Sequence, residues 1–177
     1  MLAHSPPFPL IIEYDIENGG LSAKDEEGVM LALQHRDRVC RISLWMPALS
    51  LQKVITAIND EFPILEFLSI APPMKHNTRF TIPSTFDAPQ LRFLFLDHFV
   101  SPIGSSLLTT AVGLSISTLS LRWIHPSAYP HPNQLLQTLS LLPHLKIFKI
   151  GFRSPVSKRD IEKATVGYPN HDSYHTS

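Results

Sequence analysis

The sequence predicts an α/β fold in which short strands alternate with helices or turns at a near-constant period. Three observations carry that prediction. The pattern L-x-x-L-x-L, allowing other large apolar residues, occurs five times: Val39, Ile42, Leu44; Leu65, Leu68, Ile70; Leu91, Leu94, Leu96; Ile116, Leu119, Leu121; and Leu145, Phe148, Ile150. Its first positions, 39, 65, 91, 116 and 145, are separated by 26, 26, 25 and 29 residues. Most of the segments between copies carry apolar residues at helical spacing.

The elements follow in order. FPLIIEYDI, residues 8–16, is an apolar strand that does not fit the template. Residues 22–35 begin with Ser22 and Asp25, a pair like a capping box, and continue with Val29, Ala32 and Leu33 on one helical face. Residues 50–62 place Leu51, Val54, Ile55, Ile58 and Phe62 together, with Ser50 as the expected N-cap and Pro63 past the end. The connection 71–88 has no helical period; its RFTIP reads as a short extended piece. Residues 105–112 suggest a short helix through Leu107, Leu108 and Ala111, stopped by Gly113. Residues 132–142 put Pro132 in a first turn, followed by Leu135, Leu136, Leu139 and Leu142. Pro63, Pro89 and Pro143 each stand two residues before a first position, where proline favours extended entry into a strand.

Alternation of this kind implies parallel strands. Repeats of about 20–29 residues characterise leucine-rich repeats. The expected architecture is therefore an irregular leucine-rich-repeat-like solenoid: a curved parallel sheet of about five repeats, with helices on the convex side. It would occupy residues 1–152, with residues 8–21 as an N-terminal strand and turn. Residues 153–177 would form a polar, flexible tail.

Composition narrows the function classes. With 44% hydrophobic and 17% charged residues the chain can build a core and is not of disordered type. Fifteen basic residues balance fifteen acidic ones, so nothing draws the whole molecule to nucleic acid or an anionic membrane. The single cysteine, Cys40, excludes an internal disulfide and a multi-cysteine zinc site. MLAHSPPFPLII lacks the features of a signal peptide, and no apolar run reaches membrane-spanning length. An intracellular location, cytoplasmic or nuclear, is expected.

Strand alternation turns template positions one, four and six to the core and three, five and seven to the concave face. The third-position column then reads Arg41, Phe67, Phe93, Thr118, Ile147. Trp45, Phe67, Phe93 and Phe95 become apolar anchors, with Arg41 and Arg122 as polar contacts. Exposed aromatics beside arginine suit a protein-binding hot spot.

Patterns for chemistry are weak. His125 and His131 in IHPSAYPHP lie six residues apart without a nearby carboxylate or cysteine, and a zinc site needs three or four converging ligands. His171, Asp172 and His175 crowd the tail. Cys40 adjoins Arg41 but reads as a structural thiol. Ser105 and Ser106 lack a nucleophile elbow. No Walker loop or dinucleotide fingerprint occurs. The N-terminal acids Glu13, Asp15, Glu17, Asp25, Glu26 and Glu27 lack the ligand series of an EF-hand. No enzymatic activity, cofactor or metal is expected; a small hydrolase or metal-binding protein using the histidine loop is the remote alternative.

The stretches EYDIENGGLSAKDEEGVMLALQHRDRV, FPILEFLSIAPPMKHNTRFTIPSTFDAPQLRFLFL and LRWIHPSAYPHPNQLLQTLSLLPHLKIFKI resemble the repeat region of fungal, basidiomycete-type F-box and leucine-rich-repeat-like proteins. The resemblance covers roughly residues 8–152. It implies a repeat domain that holds the substrate of a cullin-type ubiquitin ligase, docked through an F-box on a Skp-type adaptor. No F-box-like helical segment precedes residue 8, and the asparagine usual eight residues after the first leucine is replaced by Pro47, Pro73, Phe99, Ile124 and Arg153. The expectation is a protein-interaction module with an unidentified protein ligand, its adaptor contact conditional on an F-box supplied elsewhere; the alternative is a truncated, non-functional fragment.

Overall fold

The computed structural model describes residues 8–15, 22–73, 80–100, 102–103, 106–108, 111–125 and 128–153. Six strands form one open, all-parallel sheet in sequential order: β1 (Leu10–Asp15), β2 (Val39–Trp45), β3 (Phe67–Ala71), β4 (Phe93–Asp97), β5 (Thr118–Ile124) and β6 (Ile147–Phe152). The helices are α1 (Ala23–Leu33), α2 (Ala48–Ala57), α3 (Ala111–Ser115) and α4 (Pro132–Ser140), with a 3-10 turn at Ser106–Leu108.

The core lies on one side of the sheet. Ile42, Leu44, Leu68, Ile70, Leu94, Leu96, Leu119 and Leu121 are buried there against Leu51, Val54 and Ile55 of α2 and the connecting segments. These are template positions four and six, as alternation requires. The first-position residues Leu65, Leu91 and Ile116 are buried too, but they precede their strands by two residues.

The prolines act differently from the expectation. The Leu65 N–H donates to the Phe62 carbonyl, Leu91 to Ala88 and Leu145 to Leu142. Each bond closes a four-residue turn with Pro63, Pro89 or Pro143 at its second position, where the fixed proline φ fits. The residue before each proline, Phe62, Ala88 or Leu142, is buried, so the turn pins the chain to the core just ahead of a strand. Val39 closes the same turn on Arg36 without a proline.

A second backbone device recurs immediately after these turns. The Glu66 carbonyl accepts N–H bonds from both Arg92 and Phe93, the Arg92 carbonyl from Ser117 and Thr118, and the Ser117 carbonyl from Lys146 and Ile147, all at 2.8–3.0 Å. Equivalent atoms of successive units are thus joined in the same way.

The helices depart from the sequence reading in three places, two of them boundaries and one a buried face. Helix α2 starts at Ala48, with Pro47 at its N-cap; Ser50 lies inside it and donates instead to the Glu26 carboxylate at 2.7 Å. Gly113 does not stop a helix but lies within α3, where a Cβ would come within 2.0 Å of the Leu108 carbonyl oxygen. In α4, Leu136 faces solvent, and only Thr138 is fully buried. Helix α1 is capped as its sequence requires: the Ser22 hydroxyl oxygen accepts the Asp25 N–H at 3.2 Å.

Where an asparagine ladder would stand, Phe99 and Ile124 are buried apolar residues. The Phe80 ring lies 5.5 Å from Phe99, and the two residues form an isolated parallel bridge. Phe80 belongs to RFTIP, whose extended character the bridge bears out. Residues 74–79 of that connection, and the tail beyond Arg153, lie outside the described residues.

Candidate functional site

The face of the sheet away from the core carries two rows set by strand register. One runs Ile11, Arg41, Phe67, Phe93, Thr118, Ile147; the other runs Glu13, Ser43, Ser69, Phe95, Ser120, Lys149. Register alone brings Arg41, Phe67, Phe93 and Phe95 together, because neighbouring strands lie about 4.8 Å apart.

The contacts are specific. The Arg41 guanidinium carbon sits 3.6 Å from the Phe67 ring centroid. Its Nε donates to Glu13 Oε1 at 2.7 Å, so strand β1 fixes the arginine over the ring. Phe67 lies 5.4 Å from Phe95 and 6.2 Å from Phe93, centroid to centroid, both tilted. Phe93 remains 38% exposed, although it is in the middle of the sheet. An ion-paired guanidinium held over one ring of a three-ring cluster makes a surface that joins apolar rings to polar donors.

The other expected residues stand apart. Trp45 is 40% exposed and lines a separate shallow cleft with Glu13, Asp15, Ser43 and Ser69. Arg122 lies towards the carboxyl ends of the strands and donates to Asp97 Oδ1 at 2.9 Å. Asp97 is nearly buried, and the exposed arginine supplies its counter-charge. Thr118 and Ser120, expected to be open, are buried. These short side chains sit in register rows between the larger Phe93 and Ile147 and between the larger Phe95 and Lys149.

Sequence reasoning missed Glu13 as the partner of Arg41. It also missed an aromatic pair beyond the strand ends. His98 and Trp123 stack with centroids 5.9 Å apart and planes 8° from parallel. Both have positive φ, 62° and 58°, an uncommon conformation for such side chains. The signal was present: each is the eighth residue of its unit, counted from Leu91 and Ile116.

The remaining candidates for chemistry resolve locally. Cys40 is half-buried and its thiol approaches the Leu10 carbonyl oxygen at 3.4 Å, a strand-to-strand contact. His131 caps α4, its Nδ1 accepting the Asn133 N–H at 3.3 Å. Among the described residues no three histidine, cysteine, aspartate or glutamate side chains gather as a metal site. The Ser106 side chain, Ser105, Glu17, His171, Asp172 and His175 lie outside the description. No described helix is long and apolar enough to cross a membrane.

Compared with protein-family models, curated proteins and solved structures, the chain matches none.

Proposed function

We propose that this chain is a protein-recognition module, a leucine-rich-repeat-like solenoid that grips a partner segment across its open sheet face. The observation that carries the reading is the Arg41–Phe67–Phe93–Phe95 cluster on the side of the sheet that the core does not use, with Phe93 exposed and the other three half-buried. Aromatic residues, phenylalanine included, and arginine are enriched at protein interfaces, where a few well-packed residues dominate the binding energy. The repeated turn before the strands and the repeated double-acceptor carbonyl support the solenoid. The sequence resemblance to F-box proteins extends the proposal: the partner is a substrate for a cullin-type ubiquitin ligase, in an intracellular setting, with the F-box supplied elsewhere.

The test is an affinity capture that uses the wild-type chain and a Phe93→Asp, Phe95→Asp double variant, both melting cooperatively. Partners bound directly by wild type and lost by the equally folded variant are expected. Partners held equally by both would remove the cluster from the account. Capture of a Skp-type adaptor only with an F-box chain added would support the ligase extension.

A further inference from the structure

We infer that the partner segment is acidic, and that a basic cleft beside Phe93 receives its carboxylates. The inference rests on the open-face reading above and names the chemistry of its ligand. The cleft, of about 600 Å³, opens at the amino ends of β4, β5 and β6. Arg92, Lys146 and His144 line it together with Phe93, and no described acidic residue does.

Three facts point to an anionic ligand. First, Arg92, Ser117 and Lys146 occupy the same position in successive units. The carbonyl ladder places the two cations on either side of Ser117, with α-carbons roughly 10 Å apart at strand spacing. Long side chains bridge that gap readily. Second, among the described residues neither cation forms an ion pair, whereas Arg36, Arg41, Lys53 and Arg122 all do. Glu66, the acid at the same ladder position, forms none among the described residues either. Third, both serines of the cleft give their hydroxyl protons to backbone carbonyls, Ser115 to Pro89 and Ser117 to Arg92. The guanidinium and ammonium groups are therefore the main donors presented to a ligand.

The distribution of charge over the chain agrees. Residues 1–87 hold eleven acidic and seven basic side chains, while residues 88–153 hold one acidic and five basic. The zero net charge thus hides a negative first half and a positive second half. Phe93 belongs to both the aromatic cluster and the cleft wall. A single peptide can place an apolar side chain on the rings and an aspartate or glutamate in the cleft.

Random dodecapeptides displayed on phage, selected on the full chain, test this. Binding of selected peptides is then measured on wild type, on Arg92→Gln/Lys146→Gln and on Phe95→Asp, which lies outside the cleft. The expected peptides combine acidic and apolar residues and bind the double glutamine variant about tenfold more weakly, the loss of one charged hydrogen bond. Their affinity for wild type also falls with added salt. Charge-preserving Lys146→Arg keeps it. If the double variant melts early, Lys146→Gln alone carries the comparison, since that side chain is exposed. Peptides without acidic residues, or bound equally by the glutamine variant yet lost on Phe95→Asp, overturn the acidic ligand and leave the open-face reading standing. No selected peptide, or peptides indifferent to every variant, overturns both.

Discussion

On the core side of the sheet, Ile42, Leu68, Leu94 and Leu119 form one register row of aliphatic residues with no exposed surface. One residue earlier on the same strands, Arg41, Phe67, Phe93 and Thr118 form a row that mixes charge, aromatic rings and a hydroxyl. The first row is interchangeable from unit to unit; the second differs at nearly every strand. Burial explains the uniformity, because each core position must fill the same space between sheet and covering segments at interior density. Nothing in the fold demands three phenylalanines and an arginine on the other side. The contrast separates residues that hold the structure from residues available for recognition.

The largest effect expected from breaking this contrast lies in the core. Phe62 has no exposed surface and packs 6.0 Å from Phe86, centroid to centroid. Phe62→Ala should cost about 3–5 kcal/mol in equilibrium urea unfolding, the cavity left by a buried ring. A smaller loss follows from Gly113→Ala. The new methyl would meet the Leu108 carbonyl, and backbone displacement should cost about 1–3 kcal/mol, read as a lower midpoint without loss of cooperativity.

The smallest effect concerns pH. Glu26 links α1 to α2, accepting bonds from Lys53 and from Ser50. The Lys53 bond, then the Ser50 bond, hold its carboxyl below the ordinary glutamate value of 4.5. A carboxylate with a depressed folded pKa stabilises the fold above its unfolded value, and the contribution is lost as pH falls through the folded one. Thermal midpoints measured from neutral pH to below 4.5 should therefore fall less steeply for Glu26→Gln than for wild type over the acid end of that range.

Much of this contrast was legible in the sequence, because period-two alternation and a near-constant repeat length together determine register. The third-position column Arg41, Phe67, Phe93, Thr118, Ile147 is the row that the strands form. Local chemistry was harder to read. Pro63, Pro89 and Pro143 signal both extended entry and a turn, and only the backbone bonds of Leu65, Leu91 and Leu145 distinguish the two. Ser50 has the composition of an N-cap, yet α2 begins two residues earlier and leaves its hydroxyl to Glu26. Thr118 and Ser120 are buried although alternation turns them to the open face, and each stands in a row between larger side chains, a property that no single strand reveals. The basic cleft was visible only as a scarcity of acidic residues between Asp87 and Arg153, where Asp97 stands alone, masked by the balance of the whole chain.

Leu94 and Phe93 offer the most direct test, being adjacent on β4 and on opposite faces of the sheet. Urea unfolding of Leu94→Ala and Phe93→Ala, run side by side, compares the two faces at one place. A loss of about 2–5 kcal/mol is expected for the fully buried leucine. A smaller loss, about 1–2 kcal/mol, is expected for the phenylalanine, whose ring is partly exposed and gives up one tilted ring pair. Equal losses would overturn the division between the two faces, making the aromatic row part of the core and leaving no surface for a partner.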